Sequence, residues 1–385
     1  MEQLVTSDFK LGIIAGGQLG KMLVLAASNW DVKTYVLDKD EHCPASTCCT
    51  HFVKGDHLKY EDVYNFGKMV DLITFEIESV NIDALKKLKE EEKRINPDPA
   101  ILEIIQDKGL QKKFYYEHEI PTAAFTIVDD KDQLIEFIKQ AEIKFPFVQK
   151  LRKGGYDGRG VSVIKSKEDL EYLLNGPSVI EEQINVFKEV SVIVARNKKA
   201  EVRSFPIVEI EFNEEANLVE KLFCPSTLSP ELENRAYEIA ENVITKFNME
   251  GLMAVEMFLD KENNICVNEA APRPHNSGHH TIESVITSQF EQLLRAIFNF
   301  PLGSTHLKLP AVMINLLGEP NFEGDVKYEG LTECMKIDGV KIHLYGKKKT
   351  KPFRKMGHAT VLATNISEAK RKADFVKQTL KVKAW

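Results

Sequence analysis

A chain of 385 residues is long enough for two or three domains, and its 43% hydrophobic and 28% charged content excludes a disordered or fibrous polymer. The net charge of −7 argues against a general nucleic-acid binder, so anionic ligands would need local basic sites. Its six cysteines lack CxxC or metal-finger spacing, the first ten residues are too polar for a signal peptide, and no apolar run reaches membrane-spanning length; a cytoplasmic protein with free thiols is expected, with neither membrane nor nucleic acid as partner.

Leu11 to Ala15 reads as a short apolar strand, Gly16-Gly-Gln-Leu-Gly20 as a glycine turn, and Lys21 to Ser28 as a helix. Free backbone N–H groups and the helix dipole would then face an anion together. A second strand, Val32 to Leu37, ends at Asp38, about where a dinucleotide fold keeps its ribose-binding acid. An NAD-dependent oxidoreductase is therefore one reading, weakened because Ala15 stands at the first glycine of G-x-G-x-x-G. Asp71 to Phe75 is a further strand, and Glu76 at its C-terminal end either accepts hydrogen bonds from a ligand hydroxyl or caps a helix.

Asn96-Pro-Asp-Pro99 marks a boundary, and Ile101 to His118 is expected to be one helix with Asp107-Lys108 early in it. Gly154-Gly-Tyr-Asp-Gly-Arg-Gly160 lies between the strands Phe147 to Lys150 and Val161 to Ile164. No helix and no G-K-[ST] follow, so this is a hinged hairpin flap rather than a P-loop. Its glycines would let backbone N–H groups approach phosphate oxygens, with Lys150 adding a point charge. The alternative is a tight surface turn. Val179-Ile180 runs into Glu181-Glu182-Gln183-Ile184, Glu189 opens the β-branched strand Val190 to Val194, and Ser229 to Asn248 is an amphipathic helix.

Leu252-Met-Ala-Val-Glu-Met-Phe-Leu259 is apolar except for Glu256, and Ile265-Cys-Val-Asn-Glu269 is again strand-like beyond a turn. With the hairpin centred between Glu262 and Asn263, Glu256 falls directly across from Glu269 on the same face. Facing like charges repel, so a hard divalent cation such as Mg²⁺, which commonly uses only one or two protein carboxylates, is expected between them. Solvated surface glutamates are the bland alternative. Asn268-Glu-Ala-Ala-Pro-Arg-Pro-His-Asn-Ser-Gly-His-His280 then packs a carboxylate, a guanidinium, imidazoles and carboxamides into thirteen residues, the density of a reaction centre. A helix over Thr281 to Asn299, the strand Ala311 to Leu317 and the basic run Lys347 to Lys355 follow; the run is either a solvated loop or a site for a phosphorylated ligand.

The glycine flap with its preceding Lys150, the Glu181 to Ile184 segment with Glu189 eight residues on, and the Glu256…Asn268-Glu269 hairpin resemble the ATP-grasp superfamily of carboxylate-amine ligases. Gly-Gly-Tyr-Asp-Gly-Arg-Gly and Ala-Pro-Arg-Pro-His-Asn-Ser-Gly-His are similar to the 5-(carboxyamino)imidazole ribonucleotide synthase family within it, over nearly the whole chain. The formate-dependent glycinamide ribonucleotide transformylases have a like layout, but carry Asp at the position of Asn276 and lack the Tyr-Asp pair in the flap.

The resemblance implies an α/β architecture. An N-terminal open parallel-sheet domain (1–100) would precede an ATP-grasp domain (101–303, lid about 121–185) and a small β-rich C-terminal domain (304–385). It implies a cytoplasmic, homodimeric ligase of purine biosynthesis that uses ATP, Mg²⁺ and bicarbonate to carboxylate 5-aminoimidazole ribonucleotide through carboxyphosphate. Carried over by motif, Lys108, Lys150 and the flap (Gly154, Gly155, Tyr156, Asp157, Gly158, Arg159, Gly160) would hold ATP. Glu181, Glu182, Gln183 and Ile184 would line the adenine, Glu189 would take the ribose hydroxyls, and Asn268 and Glu269 would lie near the phosphates. Glu256 and Glu269 would bind Mg²⁺. Arg273, His275 and Asn276 would surround bicarbonate, His275 being alternatively a structural histidine. Gln18, Leu19, Glu76, Tyr156, Asp157, Lys347, Arg354 and Lys355 would meet the amine substrate.

Overall fold

The computed structural model describes residues 6–155, 160–213 and 218–385. The N-terminal part is a five-stranded parallel sheet in the order β3-β2-β1-β4-β5, from β1 (Lys10–Ile14), β2 (Lys33–Asp38), β3 (His51–Lys54), β4 (Leu72–Phe75) and β5 (Arg94–Ile95). Helices α1 (Gln18–Ser28), α2 (Tyr60–Lys68) and α3 (Ile82–Glu90) connect these strands. The central strands β1 and β4 are near-continuous buried apolar runs, as parallel strands covered on both faces must be. Strand order reverses between β1 and β4, and open parallel sheets place their ligands at the C-terminal end of such a switch point.

The helix expected over Ile101 to His118 is broken into α4 (Pro99–Gln106) and α5 (Lys108–Glu117). Asp107 causes the break. Its Oδ1 accepts from the N–H groups of Gly109 and Leu110 at 2.8 and 3.2 Å, capping α5, while the Arg152 guanidinium grips both carboxylate oxygens at 2.8 and 2.7 Å. Lys108 thereby becomes the first residue of a helix.

A four-stranded antiparallel lid follows, ordered β6-β9-β7-β8: β6 (Phe125–Val128), β7 (Phe147–Leu151), β8 (Val161–Ile164) and β9 (Ser178–Glu182), with α6 (Lys131–Lys139) on it. The largest sheet has nine strands, β15-β14-β10-β12-β13-β16-β20-β18 with β11 beside β10. They are β10 (Val186–Arg196), β11 (Val202–Ser204), β12 (Val208–Asn213), β13 (Leu218–Cys224), β14 (Gly251–Asp260), β15 (Ile265–Ala271), β16 (Ala311–Leu317), β18 (Val340–Leu344) and β20 (Lys355–Leu362). Since β13 pairs with β16, this sheet continues past residue 303 into the C-terminal segment. A small sheet of β17 (Gly324–Glu329), β19 (Lys349–Thr350) and β21 (Lys381–Ala384) completes the strands.

Alternation along β10 and β14 decides what each face meets. Val190, Val192, Val194, Met253, Val255 and Met257 pack with Ala236, Ala240 and Val243 of α7 (Pro230–Lys246). Ile193, Ala195, Leu252 and Ala254 pack on the other side with Phe290, Leu293 and Leu294, and through them with Leu19, Met22 and Leu23 of α1. Those side chains sit on a second interrupted helix: where one helix was expected over Thr281 to Asn299, α8 (Thr281–Ser284) stops, Val285 extends to bridge Leu307, and Ser288 caps α9 (Gln289–Ile297) by accepting from Glu291 N–H at 3.2 Å. No helix among the described residues is long and apolar enough to cross a membrane.

Asp107→Ala removes a helix cap and strands a half-buried guanidinium. Urea unfolding should show a loss of about 1–2 kcal/mol, the upper range for a cap; an unchanged midpoint would mean that the α4–α5 break is set by other residues.

Candidate active site

On the face shared with Ile193 and Ala254, the apolar residues give way along the strands to Ser191, Glu189 and Glu256. Ser191 pairs with Glu256, and Glu256 stands directly opposite Glu269. The facing arrangement expected from the sequence is present, but it arises differently. Nearer the turn Leu259 faces Ile265, a register one residue off, and an extra residue at Asn268 restores the pairing. Such a bulge re-aims side chains, and here it brings two successive polar residues to the site. Asn268 Oδ1 accepts from Lys150 Nζ at 2.8 Å, and Glu269 Oε2 from Lys108 Nζ at 2.7 Å.

The two carboxylates are in unequal surroundings. Lys108, and less so Lys150, holds Glu269 well below the usual carboxylate range, and Glu269 in turn raises the Lys108 ammonium. Burial, then the charge of Glu269, pushes Glu256 up. His275 Nε2 lies 3.6 Å from Glu256 Oε1, and Lys355 and Arg273 also favour the charged form of that carboxyl. Burial and the neighbouring Arg273 bring that imidazole down to about 3, so it is neutral. Glu256 is thus a partly buried acid that faces a second acid, an arrangement that fits a divalent cation. Among the described residues no cluster of three or more His, Cys, Asp or Glu side chains forms a metal cage, so a cation here would need ligand oxygens as well, the habit of Mg²⁺.

The loop after β15 is folded by its own polar groups. Gln289 accepts from His275 N–H at 2.9 Å and donates to His275 O at 2.8 Å. His275 Nδ1 pairs with Ser277 Oγ at 2.9 Å, and Ser277 Oγ with Ser191 Oγ at 2.9 Å. Arg273 Nη2 reaches Glu78 Oε1 at 2.7 Å, tying the loop to the end of β4. Arg273 Nε and Asn276 Nδ2 are buried donors without a hydrogen-bond partner among the described residues. Burial pushes the Glu189 carboxyl up to about 7.

At the rim of the N-terminal sheet, Glu76 caps α1. It accepts from Gly17 N–H and, at 2.5 Å, from Gly20 N–H. A Cβ on Gly17 would lie 2.2 Å from Glu76 Oε1, which is why glycine stands there. Asp38 accepts from Gly16 N–H at 2.8 Å. A carboxylate therefore occupies the place where a dinucleotide pyrophosphate would sit, and the NAD reading loses its anion site. Gln18 opens α1 half-buried, while Leu19 turns its side chain into the core, leaving only backbone for a ligand.

The β7–β8 hairpin is formed, with Lys150 facing Val161 and Leu151 N–H donating to Gly160 O at 2.8 Å. Gly154 and Gly160 have φ of 78° and 72°, values that favour glycine, at either side of the tip. Tyr156, Asp157, Gly158 and Arg159 lie outside the described residues; Gly155 precedes them. The Glu181 side chain is buried against Lys150 (2.9 Å) and Lys112 (3.3 Å), so it is committed to protein. Glu182, Gln183 and Ile184 follow at the strand end, the first two exposed. Gln149 is fully buried and holds Leu174 and Ser178.

In the C-terminal segment, Lys355 lies near enough to favour the charged form of Glu256 and the neutral form of His275. Lys347 Nζ donates to Lys355 O at 2.8 Å, and Arg354 donates to Lys349 O at 2.7 Å within its own loop. Sequence reasoning missed Lys112, Glu78, Ser191, Ser277 and Gln289. Only Lys112 carried a usable signal, its i,i+4 spacing from Lys108 on one helix face.

Three domain families match in chain order: the ribonucleotide synthetase preATP-grasp domain over residues 9–106, the ATP-grasp domain over 113–290 and the phosphoribosylaminoimidazole carboxylase C-terminal domain over 311–372. Phosphoribosylaminoimidazole carboxylase of Candida glabrata is 36% identical over 380 residues, covering 95% of this chain and 65% of that protein. The chain thus spans just under two thirds of that longer relative. The N5-carboxyaminoimidazole ribonucleotide synthetase structure from Thermotoga maritima has 41% identity and a TM-score of 0.90, covering 98% of this chain and 100% of that one. An Aspergillus clavatus N5-carboxyaminoimidazole synthase, solved with ADP and 5-aminoimidazole ribonucleotide, has 30% identity and a TM-score of 0.87 over 97% of this chain and 98% of that one. With the glutamate pair, its lysines and the glycine-hinged lid carried on such a match, the chain belongs to the N5-carboxyaminoimidazole ribonucleotide synthase family of ATP-grasp proteins.

Proposed function

We propose that the chain is an ATP-dependent carbon–nitrogen ligase of purine biosynthesis. ATP and bicarbonate give carboxyphosphate, and the exocyclic amine of 5-aminoimidazole ribonucleotide takes the carboxyl group, releasing ADP and phosphate. The observation that carries this reading is the facing Glu256–Glu269 pair, flanked by Lys108, Lys150 and Arg273 from three separate parts of the chain. Phosphoryl transfer to a weak oxyanion nucleophile builds charge on the equatorial oxygens, and this is a set of groups able to stabilise it.

In this proposal Lys108, Lys150, Asn268 and the flap Gly154 to Gly160 meet the ATP phosphates. The segment Glu181 to Ile184 lines the adenine, through backbone at Glu181, and Glu189 takes the ribose hydroxyls. Glu256 and Glu269 would hold Mg²⁺, which when bound supplies positive charge to the transferring phosphoryl group. Arg273 Nε and Asn276 Nδ2, donors without an acceptor among the described residues, suit the oxygens of bicarbonate. His275 presents Nε2 to the same space because Ser277 fixes Nδ1. Gln18, the backbone of Leu19, Glu76, Tyr156, Asp157, Lys347, Arg354 and Lys355 receive the amine substrate, the lysines and arginine matching its phosphate. The division at residues 100 and 303, a homodimeric assembly and a cytoplasmic location belong to the same proposal.

Phosphate release from ATP at fixed bicarbonate should require 5-aminoimidazole ribonucleotide for full rate; equal release with and without that amine would overturn the substrate assignment. Glu269→Gln should lower kcat/KM by on the order of 100-fold or more while leaving the circular dichroism spectrum intact. Wild-type turnover in that variant would remove the metal assignment.

Burial and Glu269 keep a proton on Glu256 above the ordinary carboxylate range. The folded state then holds a proton that the unfolded chain has lost, so this group's contribution to stability falls as pH rises through that interval. A cation at the pair must displace the same proton. The rise in Tm caused by added Mg²⁺ should therefore grow from mildly acidic to mildly alkaline pH, and Glu256→Gln should flatten the dependence. A pH-independent Mg²⁺ effect in the wild-type protein would place the cation elsewhere.

A further inference from the structure

Lys112 lies one helical turn after Lys108 on α5 and is 2% exposed, with no role in the chemistry described above. A buried ammonium is costly unless it is paired and hydrogen-bonded, so its partners say what it is kept for. It donates to Thr122 Oγ1 and lies 3.3 Å from Glu181 Oε1. Both partners lead to the same place. Thr122 Oγ1 donates to Val267 O at 2.8 Å, and Val267 N–H donates to Pro121 O at 2.7 Å. On the other side Glu181 Oε2 accepts from Lys150 Nζ at 2.9 Å, and Lys150 donates onward to Asn268 Oδ1 at 2.8 Å.

Val267 and Asn268 are consecutive, so these contacts close into a ring. It runs from Lys112 through Glu181, Lys150, Asn268, Val267 and Thr122 back to Lys112. The ring joins α5, two lid strands, the segment before β6 and the bulge in β15 that aims Glu269. Within it Glu181 is shared by two lysines, and Lys150 is shared by Glu181 and Asn268. Without Lys112, Glu181 would keep Lys150 as its one ion-pair partner among the described residues, and a buried one-to-one pair would draw that ammonium away from Asn268.

We propose that Lys112 is a positioning residue for nucleotide binding: by occupying the second oxygen of Glu181, it keeps the Lys150 ammonium on the Asn268 side, free to meet phosphate. The inference rests on the ATP site proposed above. Lys112 itself touches no nucleotide.

The test measures Kd for ATP by calorimetry on the full chain, separately from amine-dependent phosphate release. Lys112→Met should weaken ATP about tenfold, the change expected for one charge-assisted hydrogen bond, while KM for the aminoimidazole ribonucleotide stays within about twofold. Lys112→Arg, which keeps a cation beside Glu181, should bind ATP near the wild-type level. The double variant Lys112→Met with Glu181→Gln removes both buried charges and releases Lys150, so it should recover most of the lost affinity. A role confined to stability predicts losses that add in the double variant. Wild-type ATP affinity in Lys112→Met would overturn the proposal. Should that variant fail to fold, a double variant as weak as about tenfold or more would do the same. A wild-type protein that binds ATP yet ignores the amine would refute the carboxylation reading and leave this inference to the Kd values.

Discussion

The structure turns on two carboxylates that face each other across neighbouring strands in a place water does not fully reach. Glu256 and Glu269 are paired by the sheet itself, so their separation is not theirs to relax. Lys108 pairs with Glu269, while Glu256 has a neutral imidazole at 3.6 Å and the fields of Lys355 and Arg273. Each of two like charges held face to face favours the protonated form of the other unless a counter-charge is present. Lys108, Lys150, Arg273 and Lys355 all act on the pair, and each comes from a different part of the chain.

The surrounding fold can be understood as the means of delivering those groups. The cap at Asp107 ends one helix and starts the next, so Lys108 projects from a helix start rather than from mid-helix. The lid strand β7 brings Lys150, and its sharing with Glu181 and Asn268 ties lid to central sheet at the base of the glycine hinge. Because β13 pairs with β16, the strand carrying Lys355 belongs to the same nine-stranded sheet as Glu256. Apolar packing on the two faces of β10 and β14 holds this frame, and the polar residues lie where one of those faces runs out of apolar partners.

Much of this was legible in the sequence because local patterns carried it. Two strand-like stretches either side of a turn gave β14 and β15, and a turn-centred count gave the facing glutamates. The count was one residue off near the turn and right at the site only because Asn268 bulges, a feature with no periodic signature. The expected helices over Ile101 to His118 and Thr281 to Asn299 were wrong in the same way. Both are interrupted by side chains, Asp107 and Ser288, whose capping depends on residues distant in sequence or on a local choice that apolar spacing does not encode. The family resemblance placed Glu181 among the residues lining the adenine. Its commitment to Lys112 is a tertiary fact, since the two meet only when α5 packs under the lid. The tip of the flap, Tyr156 to Arg159, lies outside the described residues.

The glycine turn at the N-terminus shows how the same physics can serve a different end. Strand, glycines and helix start make an anion site by construction, and the pattern alone suggests a dinucleotide. Here the anion comes from the chain: Glu76, at the end of β4, satisfies the Gly17 and Gly20 amides. Ala15 keeps the left-handed conformation with φ of 69° that the pattern's first glycine would suit. Two residues on, Glu78 holds Arg273 from the loop that follows Glu269. One strand end thus caps its own sheet's first helix and grips the guanidinium beside the glutamate hairpin. A dinucleotide at α1 would have to displace Glu76, whose desolvated carboxylate then needs new partners. Within this chain the β4 end fixes the N-terminal sheet against the loop that follows Glu269.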